Sequence, residues 1–257
     1  MRPFNFKIST AILSFLLFSL FTPNTPSFAS EPTAKEILDR VDKMWRGESS
    51  FGEVTMEIIT AHWQRSLTMD VWSLGKEYSL IKITLPIKEK GVATLKVEKS
   101  MWNYLPKINR VIKIPSSMMM ASWMGSHFTN DDLVKENTFV DDYTYRLSFS
   151  GLRNGNSVYE IECTPRPEAA VVWGKVVITV QKEGLIPLKE LYYDEDGKLM
   201  RTMTFSDIRS LGGRTIPSVI TLVPTDKPNE LTRVIYNSLQ FSIDVDKNFF
   251  SLRSLKR

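Results

Sequence analysis

The spacing of apolar residues along the chain changes once, from a helical period to a strand period, near residue 50. Ala34, Ile37, Leu38, Val41, Met44 and Trp45 recur at helical spacing, while Lys35, Asp39, Arg40, Asp42 and Lys43 take the opposite face. Thr33-Ala34-Lys35-Glu36 is a capping-box pattern at the start, and Gly47 stands where the helix should stop. The pattern predicts one amphipathic helix over 34–46, whose apolar stripe needs a concave partner. From Glu53 onward the period is two. Val54, Met56 and Ile58 alternate with polar neighbours, as do Leu67, Met69 and Val71. Similar runs follow at 78–85, 92–97, 102–105, 111–114, 143–149 and 158–163, then at 176–180, 188–193, 199–205, 216–223 and 231–241. Short polar breaks such as Gly151 to Asn156 and Asp194-Glu195-Asp196-Gly197 separate several of them, which points to antiparallel hairpins. About a dozen strands in one antiparallel sheet should curl into a barrel or half-barrel.

One stretch fits neither period. Between Met101 and Leu133 two short β-prone runs end at Pro106 and Pro115, and then Met118, Met119, Met120, Trp123 and Met124 crowd seven positions. A strand buried on both faces would favour β-branched residues, and a loop would be polar. Methionine is unbranched and polarisable, so a cluster of it suits an apolar surface that adapts to varied shapes. Burying each of these side chains contributes roughly 1.5–3 kcal/mol, so something should cover them. Either they are ordinary core, or they line a cavity for an apolar ligand and act as its lid.

Residues 1–29 read as an export leader. Arg2 and Lys7 form a basic start, the stretch 8–21 is mostly apolar, and Ser27-Phe28-Ala29 fits a small-x-small cleavage pattern. The apolar run is short for a membrane span, and no cysteine stands at the cut for lipid attachment. The expected product is a single domain over 30–257 in the periplasm. Cys163 is the only cysteine, which excludes an intrachain disulfide. The formal charge of +4 falls to about +2 without Arg2 and Lys7, and the basic residues are dispersed, so nucleic acid is not an expected partner.

Catalytic patterns do not emerge. The chain has no G-x-S-x-G, P-loop or G-x-G-x-x-G motif, and its two histidines, His62 and His127, stand in no metal-binding spacing. Asp131-Asp132 and Asp141-Asp142 read as turn or helix-cap carboxylates. Ser126 beside His127 has no acid at readable spacing to complete a nucleophile.

Several motifs in order carry a resemblance. They are Trp72-Ser73-Leu74-Gly75, Pro86 with Lys90-Gly91-Val92-Ala93-Thr94-Leu95, Trp102-Asn103-Tyr104-Leu105-Pro106, Arg110 to Ile114, and Met124-Gly125-Ser126-His127-Phe128-Thr129-Asn130-Asp131-Asp132-Leu133. With these the chain resembles the outer-membrane lipoprotein-sorting family, the LolA/LolB-like proteins, over most of its length beyond the leader. One departure is His127, where the family pattern often carries an acid. The resemblance implies an unclosed antiparallel β-barrel, a half-barrel, with helices plugging its concave apolar face. It implies no enzyme activity, cofactor or metal. The arginine that helps latch the lid of the best-known carrier has no motif to place it on this sequence.

These readings converge on a periplasmic carrier, expected to be monomeric, for the acyl chains of lipoproteins or lipids. An inner-membrane transporter would be its donor and an outer-membrane protein its acceptor. Its expected ligand-binding residues are Trp102, Tyr104, Met118, Met119, Met120, Trp123, Met124 and Phe128. The alternative is a non-transporting adaptor or sensor that docks on an envelope transporter or signalling protein.

Overall fold

Pairing is local almost everywhere in this molecule. The computed structural model describes Met1 and residues 31–135, 139–169 and 171–256. The chain divides into two units, Met1–Glu31 and Pro32–Arg257. Beyond Met1 the expected leader lies outside the described residues, and the account below concerns the second unit.

The first half contributes β1 (Ser49–Ile59), β2 (Gln64–Leu74), β3 (Tyr78–Leu85), β4 (Ala93–Val97), β5 (Ser100–Leu105) and β6 (Arg110–Lys113). The second contributes β7 (Tyr143–Arg153), β8 (Asn156–Pro165), β9 (Lys175–Gln181), β10 (Ile186–Tyr193), β11 (Leu199–Leu211), β12 (Arg214–Pro224) and β13 (Leu231–Phe241). They form one 13-stranded antiparallel sheet in the order β6-β5-β4-β3-β2-β1-β13-β12-β11-β10-β9-β8-β7. Among the described strands only β1 and β13, the first and last, pair without being consecutive. Their ladder runs from Ser50↔Phe241 to Ile59↔Leu231 with a bulge at Glu53/Val54. The sheet is not closed: β6 and β7 are its two edges, and residues 114–142 connect them. The half-barrel expected from the sequence is the fold observed.

The first helix, α1 (Ala34–Asp42), starts as its sequence requires. Glu36 N–H donates to Thr33 Oγ1 at 3.3 Å and Thr33 N–H donates to the Glu36 carboxylate at 2.7 Å, a reciprocal cap. Regular helix ends at Asp42, short of the predicted Arg46, and turns carry the chain to Gly47 at φ +56°. Ile37, Leu38 and Val41 bury against Ile161, Ile178 and Val180 of the second half of the sheet. A second core, around Met56, Leu67, Ile83 and Met101, lies under the connection between the edges, with Trp123 inserted into it. Within that connection, α2 (Asn130–Lys135) and α3 (Phe139–Asp142) are short.

Successive side chains on a strand point to opposite faces. On β4, Thr94 accepts a hydrogen bond from Trp123 Nε1 at 3.1 Å, so Ala93 and Leu95 face the other way. The chain's end covers that outer face. Phe249, Phe250 and the terminal helix α4 (Leu252–Leu255) pack on Leu80, Ala93 and Leu95 beside Tyr78 and Trp102. Phe250 is almost fully buried there, so Phe250→Ala should lower stability by about 3–5 kcal/mol in urea unfolding.

Candidate ligand cavity

Where the two cores meet, α1, the concave face of the sheet and the connection between the edges enclose a cavity of about 240 Å³. Leu38 and Val41 supply the α1 wall, Met56, Met69 and Ile81 the wall of the first strands, and Met203, Phe205 and Val234 the opposite wall. Trp45 sets the spacing between α1 and the sheet. Its Nε1 donates to the Pro217 carbonyl at 2.9 Å, and its ring stacks on Phe205 and Tyr236 at 5.5 and 6.3 Å. The volume lies just below the ~300–1,000 Å³ of most small-molecule sites, so one extended chain fits better than several.

The connection over this cavity is a lid of successive turns held by its own backbone. Trp123 N–H donates to the Phe128 carbonyl at 2.8 Å, Asp131 N–H to the Met119 carbonyl at 2.8 Å, and Asn130 Nδ2 to the Met118 carbonyl at 3.0 Å. From β2, Arg65 Nη1 donates to the Met124 carbonyl at 2.8 Å while the same guanidinium pairs with Glu89. Of the eight residues expected to bind ligand, the structure brings Trp123 and Phe128 to the cavity wall. Met119 and Met124 pack on the second core instead. Met118 and Met120 are 48% and 51% exposed, because consecutive residues of a tight turn cannot all face inward. Trp102 and Tyr104 lie in the cluster on the outer face: on β5 the inward positions belong to Met101 and Asn103.

The cavity also holds a polar group that no sequence pattern marked. Arg201, on β11, is 5% exposed. Its Nη1 and Nη2 donate to the two Asp132 oxygens at 2.8 and 2.6 Å, tying α2 to the sheet. Its guanidinium lies 4.3 Å from the Trp173 ring centroid and 4.2 Å from that of Tyr192. Tyr192 in turn donates its hydroxyl to the buried Glu190. Asp132 also accepts from Thr129 N–H and Oγ1 at 2.8 and 2.9 Å, which caps α2. Burial pushes the Asp132 carboxyl up, but the Arg201 hydrogen bonds and charge, with those of Thr129, outweigh it and hold it below the ordinary value. Burial pushes the Tyr192 hydroxyl well above its ordinary value, reinforced by the Glu190 charge.

Ser126 and His127 have different partners. Ser126 is buried, and its Oγ donates to the Trp123 carbonyl at 2.7 Å and accepts from Phe128 N–H at 3.1 Å, so it shapes the lid turn. His127 places Nε2 3.1 Å from Glu230 and Nδ1 2.9 Å from Thr232, whose own side chain is fully buried. Among the described residues no group of three His, Cys, Asp or Glu side chains is placed to hold a metal.

An open antiparallel half-barrel, with a helix and a lid enclosing an apolar cavity on its concave face, is a LolA-like fold. A LolA superfamily protein from Nitrosomonas europaea superposes with a TM-score of 0.73 at 23% identity, over 87% of this chain and 99% of that one. A putative outer membrane lipoprotein-sorting protein domain from Vibrio parahaemolyticus gives 0.73 at 23% identity, over 87% and 98%. A DUF1329 family protein from Desulfovibrio piger gives 0.76 at 23% identity, over 86% and 97%. Residues 75–257 match the model of a family described as "Uncharacterized protein", and the chain belongs to that family. No curated protein matches the sequence.

Removing one partner of a buried ion pair leaves an uncompensated charge, so Arg201→Met or Asp132→Asn should each cost about 3–5 kcal/mol in urea unfolding. The double change Asp132→Leu with Arg201→Met should cost much less. Because folded Asp132 titrates below an unfolded aspartate, near 3.9, its contribution is full above that pH. It is lost as pH falls through the lower folded value, and Asp132→Asn should lack that acid limb.

Proposed function

We propose that the protein is an exported, non-catalytic carrier that holds an acyl chain of a lipid or lipoprotein in this cavity and moves it through the cell envelope. The observation that carries the reading is the lidded apolar cavity between α1 and the sheet. Each methylene left in water costs about 0.8 kcal/mol, so a chain of about sixteen carbons costs on the order of 12 kcal/mol to expose. A route across an aqueous compartment therefore needs a dry cavity. The leader pattern at 1–29 supports a periplasmic setting, with a membrane transporter as donor and an outer-membrane acceptor. The mobile partner is the lid, because it rests on turns while the sheet rests on long ladders.

Purified protein lacking residues 1–29 should bind a fluorescent apolar probe saturably at micromolar protein, and dodecanoate should displace it. A folded sample that binds neither would overturn the carrier reading.

The lid has its own test. Replacing Phe128, which the lid places on the cavity wall, by serine should lower acyl affinity at least tenfold, about 1.4 kcal/mol, with a smaller change in global stability. Urea unfolding beside a binding titration on the same variant measures both. A large stability loss with unchanged affinity would make this segment ordinary core.

A further inference from the structure

At one end of β1–β6 the turns hold apolar side chains out in solvent. Because consecutive strands are antiparallel, the β1–β2, β3–β4 and β5–β6 connections all emerge at that end. Trp63 stands in the first, Leu85 and Ile87 at the second and Ile108 in the third. All four are exposed, Ile87 by 82%. The three connections adjoin one another. Arg65 at the start of β2 pairs with Glu89, and a Cβ placed on Gly91 would stand 3.6 Å from the Pro106 ring. Trp63 also reaches the lid, since a Cβ placed on Gly125 would lie 3.7 Å from its ring. The tips are shaped by their own backbone. Ile87–Glu89 and Pro106–Ile108 are tight turns, closed by Lys90 N–H on the Ile87 carbonyl at 3.3 Å and by Asn109 N–H on the Pro106 carbonyl at 3.1 Å. A single exposed apolar residue is ordinary on a protein surface, but one held out at each of three adjoining turns is not.

The charge around these tips is one-sided. Lys88, Lys90, Lys107 and Arg110 are exposed in the same connections, and among the described residues none of the four is in an ion pair. Glu89, the acid beside them, is taken up by Arg65. The second-half turns that emerge at this end differ in both respects. Residues 194–198 hold Asp194, Glu195 and Asp196 against Lys198, and residues 225–230 hold Asp226 and Glu230 against Lys227. Neither turn exposes a large apolar side chain. Apolar tips and unpaired cations therefore coincide on one part of the rim. A protein partner would have to bury these lysines, which the cores of protein interfaces avoid. A bilayer surface accepts both kinds of group at once. Isoleucine and tryptophan lodge between headgroups and acyl chains, while the lysine ammonium groups stay among the phosphates.

We propose that this end of β1–β6 docks the protein on a membrane surface containing anionic phospholipid, with Trp63, Ile87 and Ile108 entering the interface. None of these residues lines the cavity, so the surface stands or falls independently of the carrier reading. Where both hold, docking sets the lid turn at Gly125 beside the bilayer and shortens the path of a chain between membrane and cavity.

The experiment is flotation of the protein lacking residues 1–29 with two kinds of vesicle, phosphatidylcholine alone and phosphatidylcholine with phosphatidylglycerol at two to one. Affinity for the anionic vesicles should exceed that for the neutral ones roughly tenfold, and added salt should weaken it. Ile87→Ser with Ile108→Ser should lower the anionic-vesicle affinity roughly tenfold. Lys88→Gln with Lys107→Gln should remove the preference for anionic lipid. All four side chains are exposed, so the urea midpoints of both variants should not move. Leu152, 73% exposed on β7 at the opposite end of the sheet, is the control, and Leu152→Ser should float as the unaltered protein does. Unchanged flotation of both double variants would overturn the docking surface, as would a folded protein that floats with neither vesicle. So would self-association in sedimentation velocity that the isoleucine pair abolishes, because the face would then join two copies. Each of these outcomes leaves the carrier reading standing, since the isoleucine variant should still bind the apolar probe.

Discussion

The ladder between β1 and β13 is the constraint on which the architecture depends. Every other pairing joins consecutive strands, so without this ladder the sheet is two separate meanders, β1–β6 and β7–β13. The register from Ser50↔Phe241 to Ile59↔Leu231 fixes where the two apolar faces meet. The cavity lies at that meeting, with Met56 and Met69 on one side and Met203 and Phe205 on the other. A one-residue slip in a strand turns its buried side chains to solvent, so the alternation of Val54, Met56 and Ile58 holds the register as firmly as the hydrogen bonds do.

The opening of the barrel and its cover have one cause. An up-and-down sheet of this order would close if β6 met β7 through a tight hairpin. The chain instead spends residues 114–142 on the connection, whose described residues fold over the concave side. Trp123 anchors that connection to the core under β1–β3, and Asp132 anchors it to β11 through Arg201. These two anchors differ in kind, one apolar and one ionic, and Arg65 and Thr232 hold the turn between them through Met124 and His127. The turns before Trp123 contribute two half-exposed methionines to the surface.

Local patterns were legible in the sequence, and long-range ones were not. Thr33 and Glu36 announce α1, and period-two runs announce the strands, because both signals lie within a few residues of one another. Trp102 and Tyr104 look like lining residues until the register shows that Met101 and Asn103 own the inward side of β5. The choice of face follows from Thr94 and Trp123, a contact 29 residues apart. Asp132 reads correctly as a helix-cap carboxylate from Thr129, but its partner Arg201 is 69 residues away. The strand count left barrel and half-barrel open and the resemblance pointed to the half-barrel, while the pairing of the first strand with the last had no sequence pattern of its own.

An open sheet has two free edges, and each is a template for pairing with another chain. Both edges here carry deterrents to self-association. On β6, four residues long, Arg110 and Lys113 are exposed, and like charges meet when two such strands approach. The longer β7 carries exposed Arg146 and Arg153, and a bulge at Leu147/Phe149 interrupts its regularity. The opening between β6 and β7 therefore also explains why positive charge and irregularity collect on these two strands. They are what keeps an open barrel from becoming a seed for aggregation.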